Sequence, residues 1–378
     1  MRIVVDARKA GGQDYGIGTY IRRLGETCAR LSPSDDFVFL GKADRVDGKD
    51  VPRDAARITG DNVTWEPNPS ANYSLRELVS IAWQVRDLRG DVFHAPHYVY
   101  PLMLPCPGVV TIHDCIHLRF PQQFPKPGSN LYARMMIRRA VAKSDRVLTV
   151  SEATRADLVE LVNADPSKIE VIPHGCDPYF LETVDDRELR NVAKKYRLDR
   201  PFLLNVTNIK PHKNLKRLLE SFGQLRRDYD DLDLVIAGGD FSQHPELLAA
   251  CKSYGIEKRV KRLGFLPKKE LRALYRLARI FVFPSLYEGA GLPPLEAMAC
   301  GTPVVASDNS AIPEIVGRNG LLVNPYRVDA ITEAIRSLLE NSSFRDALGA
   351  QGKIRAQEFD WDKSARRVLD IYREVLTP

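Results

Sequence analysis

No stretch of the 378 residues stays apolar long enough to cross a bilayer, so a membrane-spanning helix is not expected. The opening Met1-Arg2-Ile3-Val4-Val5-Asp6 reads as a first strand and lacks the apolar core of a signal peptide. The expected location is therefore the cytoplasm. Cysteine is sparse: Cys28, Cys106, Cys115, Cys176, Cys251 and Cys300 are scattered without any C-x-x-C spacing. In a chain of this length that argues for reduced, buried thiols and against a disulfide framework or zinc site. No short-period repeat or low-complexity tract is visible. A formal charge of +6 is too mild to point to nucleic acid.

Two common nucleotide signatures are also missing. "DYGIGTY" starts as G-x-G, but Ile21 stands where a dinucleotide fingerprint needs its third glycine. Gly11 and Gly16 have phosphate-loop spacing, but Ile17 occupies the lysine position. A dehydrogenase and a P-loop NTPase are both disfavoured.

What is present is a composition, 44% hydrophobic and 28% charged, able to bury a sizeable core. The length fits two or three domains. Strand-like runs ("RIVVDA", "FVFL", "DVFHAP", "GVVTIHD", "RVLTVS", "IEVIP") alternate with helical periodicity in the first half. The second half repeats the rhythm with "PFLLNVT", "LDLVIAGG", "VKRLGF", "RIFVFPS", "TPVVAS" and "GLLVNP". Such alternation builds parallel sheets with helices on both faces. The expected fold is α/β with two doubly wound, Rossmann-like domains, residues 1–180 and 188–360, joined by a connector at 174–189. The last helix, within 361–378, is expected to pack back on the first domain. Residues 41–74 are less regular and read as loops or an edge element. Ligands of open α/β sheets bind beyond the carboxyl ends of the strands, so two facing sheets would form a cleft.

"LYEGAGLPPLEAMACGTPVVAS" follows a buried strand and places Glu288 and Glu296 around a glycine- and proline-rich turn. Gly289 and Gly291 permit unusual backbone angles, and Pro293 and Pro294 suit a first helical turn. N–H groups at such a helix start, aided by its dipole, suit a phosphate or pyrophosphate. A second strand-end loop, "NVTNIKPHKNLKRLLESF", carries Lys210, His212 and Lys213. It offers cationic charge for a departing diphosphate.

These segments resemble the retaining glycosyltransferases of family 4, whose fold is GT-B. "SLYEGAGLPPLEAMACGTPVVAS" is similar to that family's E-x7-E signature. "IKPHKN", "VTIHD", "VSEATRADL", "VIPHGCDPYF" and "SAIPEIVG" resemble further family segments in the family's order, across nearly the whole chain. The resemblance implies that Glu288 contacts the transferred sugar, that Glu296 holds the nucleotide ribose, and that N–H groups of Ala290, Gly291 and Leu292 meet the phosphates. It further implies that Lys213 neutralises the diphosphate, that His113 lies near the sugar, and that Gly16 and Gly18 form a loop facing donor and acceptor. Two positions depart from the pattern. Asn208 replaces a frequent arginine, for which Lys210 or His212 could substitute. Ala290 replaces a phenylalanine, opening space near the phosphates.

His113, Asp114 and His117 spell H-D-x-x-H, but no further ligand completes a metal site, and Asp114 can serve the strand-end turn. Asp231-Leu232-Asp233 is formally D-x-D yet precedes a strand, and is read as surface. No cofactor is expected, and the reaction is expected to be metal-independent. The reading is a hexosyltransferase moving mannose from GDP-mannose to a glycan or polyprenyl-linked acceptor, the mannose resting on resemblance to bacterial O-antigen and capsule enzymes. Alternatives are a UDP-, ADP- or dTDP-sugar donor, a sugar-nucleotide epimerase or hydrolase, and a non-catalytic partner of membrane glycan assembly.

Two segments are strongly basic. Residues 119–155 hold eight Arg or Lys against two acids, and residues 257–279 hold nine against two. Both can be solvated faces. Within 130–144, however, Arg134, Arg138, Arg139 and Lys143 share one side of a helical projection, with Tyr132, Met136, Ile137 and Val141 largely opposite. That pattern fits a helix lying on an anionic membrane surface, peripheral to the inner face of the cell membrane.

Overall fold

The computed structural model describes residues 1–11, 15–46, 49–52, 58–123 and 128–377. The chain divides into two compact units: Met1–Gly175 together with Asp360–Pro378, and Cys176–Phe359.

The first unit is built on β1 (Arg2–Asp6), β2 (Asp36–Val46), β3 (Lys49–Pro52), β4 (Val63–Asn68), β5 (Val92–Ala95), β6 (Gly108–Ile112), β7 (Arg146–Thr149) and β8 (Ile169–Val171). The parallel order β2-β1-β5-β6-β7-β8 is extended at its edge by β4, parallel to β2, and by the antiparallel β3. The irregular stretch 41–74 thus supplies an edge, its residues 47–48 and 53–57 lying outside the described residues. Strands β5 and β6, "VFHA" and "GVVTI", are buried at every position. Helices on both faces leave them no solvated side, so they read as continuous apolar runs.

The helix Trp361–Glu374 belongs to this unit, with Val368, Leu369 and Tyr372 packed in one core with Tyr20, Leu24 and Cys28. Inside it, the Tyr372 hydroxyl meets His94 Nδ1 at 2.6 Å, and His94 Nε2 lies 2.8 Å from Thr111 Oγ1. Burial pushes the His94 imidazole down to about 3, so it is neutral.

The second unit carries β9 (Phe202–Val206), β10 (Asp233–Ala237), β11 (Val260–Gly264), β12 (Ile280–Phe283), β13 (Val304–Ser307) and β14 (Leu321–Val323). All are parallel, in the order β11-β10-β9-β12-β13-β14. Numbered within the unit this is 3-2-1-4-5-6, the dinucleotide-binding order whose strand direction reverses between the first and fourth strands. Residues 176–180, expected with the first domain, belong here. Phe180 is buried in the core with Tyr275 and Phe281, its ring 5.8 Å from that of Tyr275, which draws the segment across.

One reading of charge is corrected. Asp233 is buried rather than on the surface, meeting Arg259 at 3.2 Å and Lys261 at 3.6 Å. The basic stretch 257–279 is partly solvated, with Lys258, Arg262 and Arg279 exposed, and five of its nine cations meet acids. Along the helix Lys268–Leu277, Lys268 pairs with Asp177, Lys269 with Glu188 at 3.4 Å and Arg272 with Glu182 at 3.0 Å.

Candidate active site

The second unit's strands part at the point where their order reverses. β9 and β12 pair only through Ile280↔Leu203 and Phe281↔Leu204. The β9–β10 ladder, by contrast, continues to Val206↔Ala237. Past the last β9–β12 pair, buried Asn205 donates from Nδ2 to the Val282 carbonyl at 2.8 Å, a side chain standing in for the missing backbone ladder. The strand order reverses here, the place where an open α/β sheet binds its ligand.

Several bonds lock the loops leaving β9 and β12 together. Asn214, with left-handed φ of 59°, donates to the carbonyls of Pro284 and Pro325 at 2.9 and 2.7 Å. The Leu286 N–H and the Ser285 hydroxyl both donate to the His212 carbonyl, at 2.7 and 3.1 Å. Lys213 sits between His212 and Asn214 and has little freedom left. Its ammonium meets Glu288 Oε1 at 2.5 Å, with both side chains mostly buried. The backbone of Glu288 is fixed in turn: its N–H donates to Ser310 Oγ at 3.0 Å, and its carbonyl accepts from Ala311 at 3.3 Å. Ser310 holds a strained φ of 51° to do so.

His212 does not replace the absent arginine as a cation. It is buried, and burial with Lys213 and Lys210 beside it pushes its imidazole down to about 3. Lys210 is exposed, as is Asn208.

The helix Leu292–Ala299 begins at Gly291, whose φ of 75° makes it the only left-handed one of the turn's two glycines. Pro293 and Pro294 carry no N–H, so the donors at this helix start are those of Ala290, Gly291 and Leu292. None of the three has a protein acceptor among the described residues. Glu296 lies on the same helix, one turn on. Its Oε2 accepts from the fully buried Tyr275 hydroxyl at 2.9 Å. Burial raises the Glu296 carboxyl to about 7; Asp177 adds to the rise, and the Tyr275 hydroxyl and Lys268 oppose it. Tyr275, Ser310 and Asn214 escaped the sequence reading. Tyr275 looks like one more core aromatic in "ELRALYRLA", whereas "SAIPEIVG" and "IKPHKN" did point to Ser310 and Asn214 as segments.

The remaining candidates lie in the first unit. His113, just past β6, donates from Nε2 to the Pro96 carbonyl at 3.0 Å, leaving Nδ1 as an acceptor. The edge of its ring meets Tyr20, centroids 4.8 Å apart, and burial lowers it to about 4. Asp114 caps the next turn, accepting from the Ile116 N–H at 3.0 Å. Among the described residues no cluster of His, Cys, Asp and Glu could hold a metal.

Gly16 and Gly18 are not in a loop: they lie in the first turn of the helix Tyr15–Leu31. Gly18 allows that turn to approach the chain, since a Cβ there would come within 3.0 Å of the Lys9 carbonyl. Residues 12–14, including the start of "DYGIGTY", lie outside the described residues.

Comparison with known proteins agrees with both halves of this picture. Residues 15–180 match the model described as Glycosyltransferase Family 4, and residues 186–355 match Glycosyl transferases group 1. The O-antigen chain mannosyltransferase B of Escherichia coli is 31% identical over 294 residues, 77% of this chain and 76% of that one. Alpha-maltose-1-phosphate synthase of Mycolicibacterium smegmatis is 31% identical over 99% of this chain and its own whole length. Among solved structures, Anabaena HepE in complex with UDP-glucose superposes with a TM-score of 0.77 at 17% identity, covering 99% of this chain and all of that one. Among the described residues no helix is long and apolar enough to cross a membrane. The chain belongs to glycosyltransferase family 4: it is a hexosyltransferase with the GT-B fold of two Rossmann-like units.

Proposed function

We propose that this enzyme transfers mannose from GDP-mannose, with retention, to a glycan or polyprenyl-linked acceptor, and does so without a metal. The observation that carries the donor site is the Lys213–Glu288 pair beside three acceptor-less N–H groups. A diphosphate entering the crevice accepts hydrogen bonds from Ala290, Gly291 and Leu292 and draws Lys213 away from Glu288. The freed carboxylate then meets the sugar hydroxyls and favours positive charge developing at the anomeric carbon. As the bond from that carbon to the phosphate oxygen breaks, the acceptor oxygen bonds to the same face. Its proton passes to the departing phosphate oxygen. His113, in the first unit, is neutral and keeps Nδ1 as an acceptor.

Support for a nucleotide-sugar donor comes from HepE, solved with UDP-glucose. Support for mannose comes from the name of the E. coli relative. Thermal stabilisation by GDP, UDP, ADP and dTDP tests the base: GDP is expected to raise the unfolding temperature most. Preference for another base ends the GDP assignment. Release of free mannose at an unchanged rate without acceptor ends the transferase chemistry.

Glu296 adds a pH dependence. Ribose hydroxyls donate more strongly to its carboxylate than to the protonated acid, and burial raises its pKa to about 7. Donor affinity should rise by up to about tenfold from pH 6 to pH 8 and then level off. A nucleotide sugar's diphosphate has no ionisation in that range, so the slope belongs to the protein. In Tyr275→Phe the carboxylate loses a donor and the inflection moves to higher pH. A flat affinity profile, measured by titration calorimetry with intact donor, would remove Glu296 from the ribose.

A further inference from the structure

Folding turns the apolar side of the basic helix to the core, as in an ordinary surface helix. In Ser129–Lys143 the residues Met136, Ile137 and Val141 are turned into the core, and Arg139 is committed to the carbonyls of Tyr100 and Pro101. What faces outward is Leu131 and Met135, lying among Arg134, Arg138 and Lys143. The neighbouring helix Glu77–Asp87 exposes Val79 and Trp83, in line with Leu75 just before it. Between the helices run residues 98–104, exposing Leu102 and Met103.

These three elements form one continuous face. Leu78, Val99 and Met136 share a small core beneath it, and the Leu102 N–H donates to the Leu78 carbonyl at 2.8 Å. The seven apolar side chains are 44% to 81% exposed, and they make up seven of the ten large exposed hydrophobics of the first unit's described residues. Monomeric surfaces rarely gather apolar residues in this way, and a rim of one charge says what covers them. Neither Arg134, Arg138 nor Lys143 meets a carboxylate among the described residues. Arg76 and Arg86 flank the other helix, Arg86 lying 4.2 Å over the Trp83 ring. Of the acids on these elements, Glu77 is buried against Arg8 and Asp87 is held by Arg86.

We infer that this face rests on an anionic phospholipid surface, its apolar residues entering the headgroup boundary and its arginines meeting lipid phosphates. Indole rings favour that boundary, long apolar side chains reach below it, and guanidinium groups remain at its level. The inference stands apart from the donor assignment, because nothing in it involves the second unit.

Flotation of the full chain, without nucleotide, with vesicles of phosphatidylcholine alone or mixed with phosphatidylglycerol tests it. Binding is expected only with phosphatidylglycerol, accompanied by a blue shift of tryptophan emission that Trp83→Phe abolishes. R134E/R138E should weaken binding about 25-fold or more, at roughly fivefold or more per cation. L131S/M135S should weaken it by a similar factor. Near-UV circular dichroism of each variant checks that the first unit is intact. Equal binding to phosphatidylcholine alone, or no binding to either vesicle, overturns the proposal. So does a wild-type dimer that L131S/M135S converts to monomer without any vesicle binding, because the face would then cover a second copy of the chain.

Discussion

Lys213→Ala is expected to lower kcat by roughly 10²–10³, the scale lost with one preorganised group facing developing anionic charge. The leaving diphosphate gains one negative charge as its bond to the sugar breaks, and Lys213 is the mostly buried cation placed to meet it. The same substitution has a second cost, unrelated to the chemistry. Glu288 loses its counter-ion in a site largely shut off from water, destabilising the free enzyme by on the order of 3 kcal/mol. The two costs separate in a double-mutant cycle. K213A/E288Q removes both charges, so its unfolding temperature should recover most of the loss while turnover stays low. If Lys213→Ala left kcat and nucleotide affinity near wild type, the diphosphate assignment would fall. If E288Q alone kept normal turnover, the carboxylate would have no electrostatic part in the reaction.

Gly291→Val should cost about 30-fold in nucleotide affinity. A β-branched residue at φ of 75° carries about 1–3 kcal/mol of backbone strain. Its Cβ would also lie 3.1 Å from the Ile312 side chain. Relief requires the turn to rotate, which swings the Ala290, Gly291 and Leu292 N–H groups off their common direction. An affinity loss of about 2 kcal/mol corresponds to the factor given. Gly291→Ala, with less bulk, should fall between the two. Calorimetric titration with nucleoside diphosphate measures the series. Unchanged affinity in the valine variant would move the phosphates elsewhere.

Much of this site could be read before folding because its determinants are local. The Glu288–Glu296 spacing, the prolines at 293 and 294, and a strand running into a glycine turn all lie within one short segment. Strand-helix alternation similarly dictates parallel sheets. What escaped depends on distant partners. Lys213 and Glu288 are 75 residues apart in sequence, and nothing near either shows that the free enzyme pairs them. Asp233 looked exposed because its partners, Arg259 and Lys261, come from the next strand. Gly16 and Gly18 read as a loop because glycine is a poor helix former, but at Gly18 close packing against the Lys9 carbonyl selects it, while Gly16 faces open space. For the arginine helix, periodicity identified two sides but could not decide which faced the core. Packing beneath Met136 and Ile137 decided it.

The helix Trp361–Glu374 fixes an order of events during synthesis. It completes the first unit's core and supplies the hydroxyl that His94 needs, yet it leaves the ribosome only after the whole of Cys176–Phe359. The contiguous second unit can close as soon as it emerges. The first must wait, with Tyr20, Leu24 and Cys28 uncovered, until its last element arrives. The amino-terminal unit therefore completes its core only after Cys176–Phe359 has been made, whereas separate domains usually close in chain order.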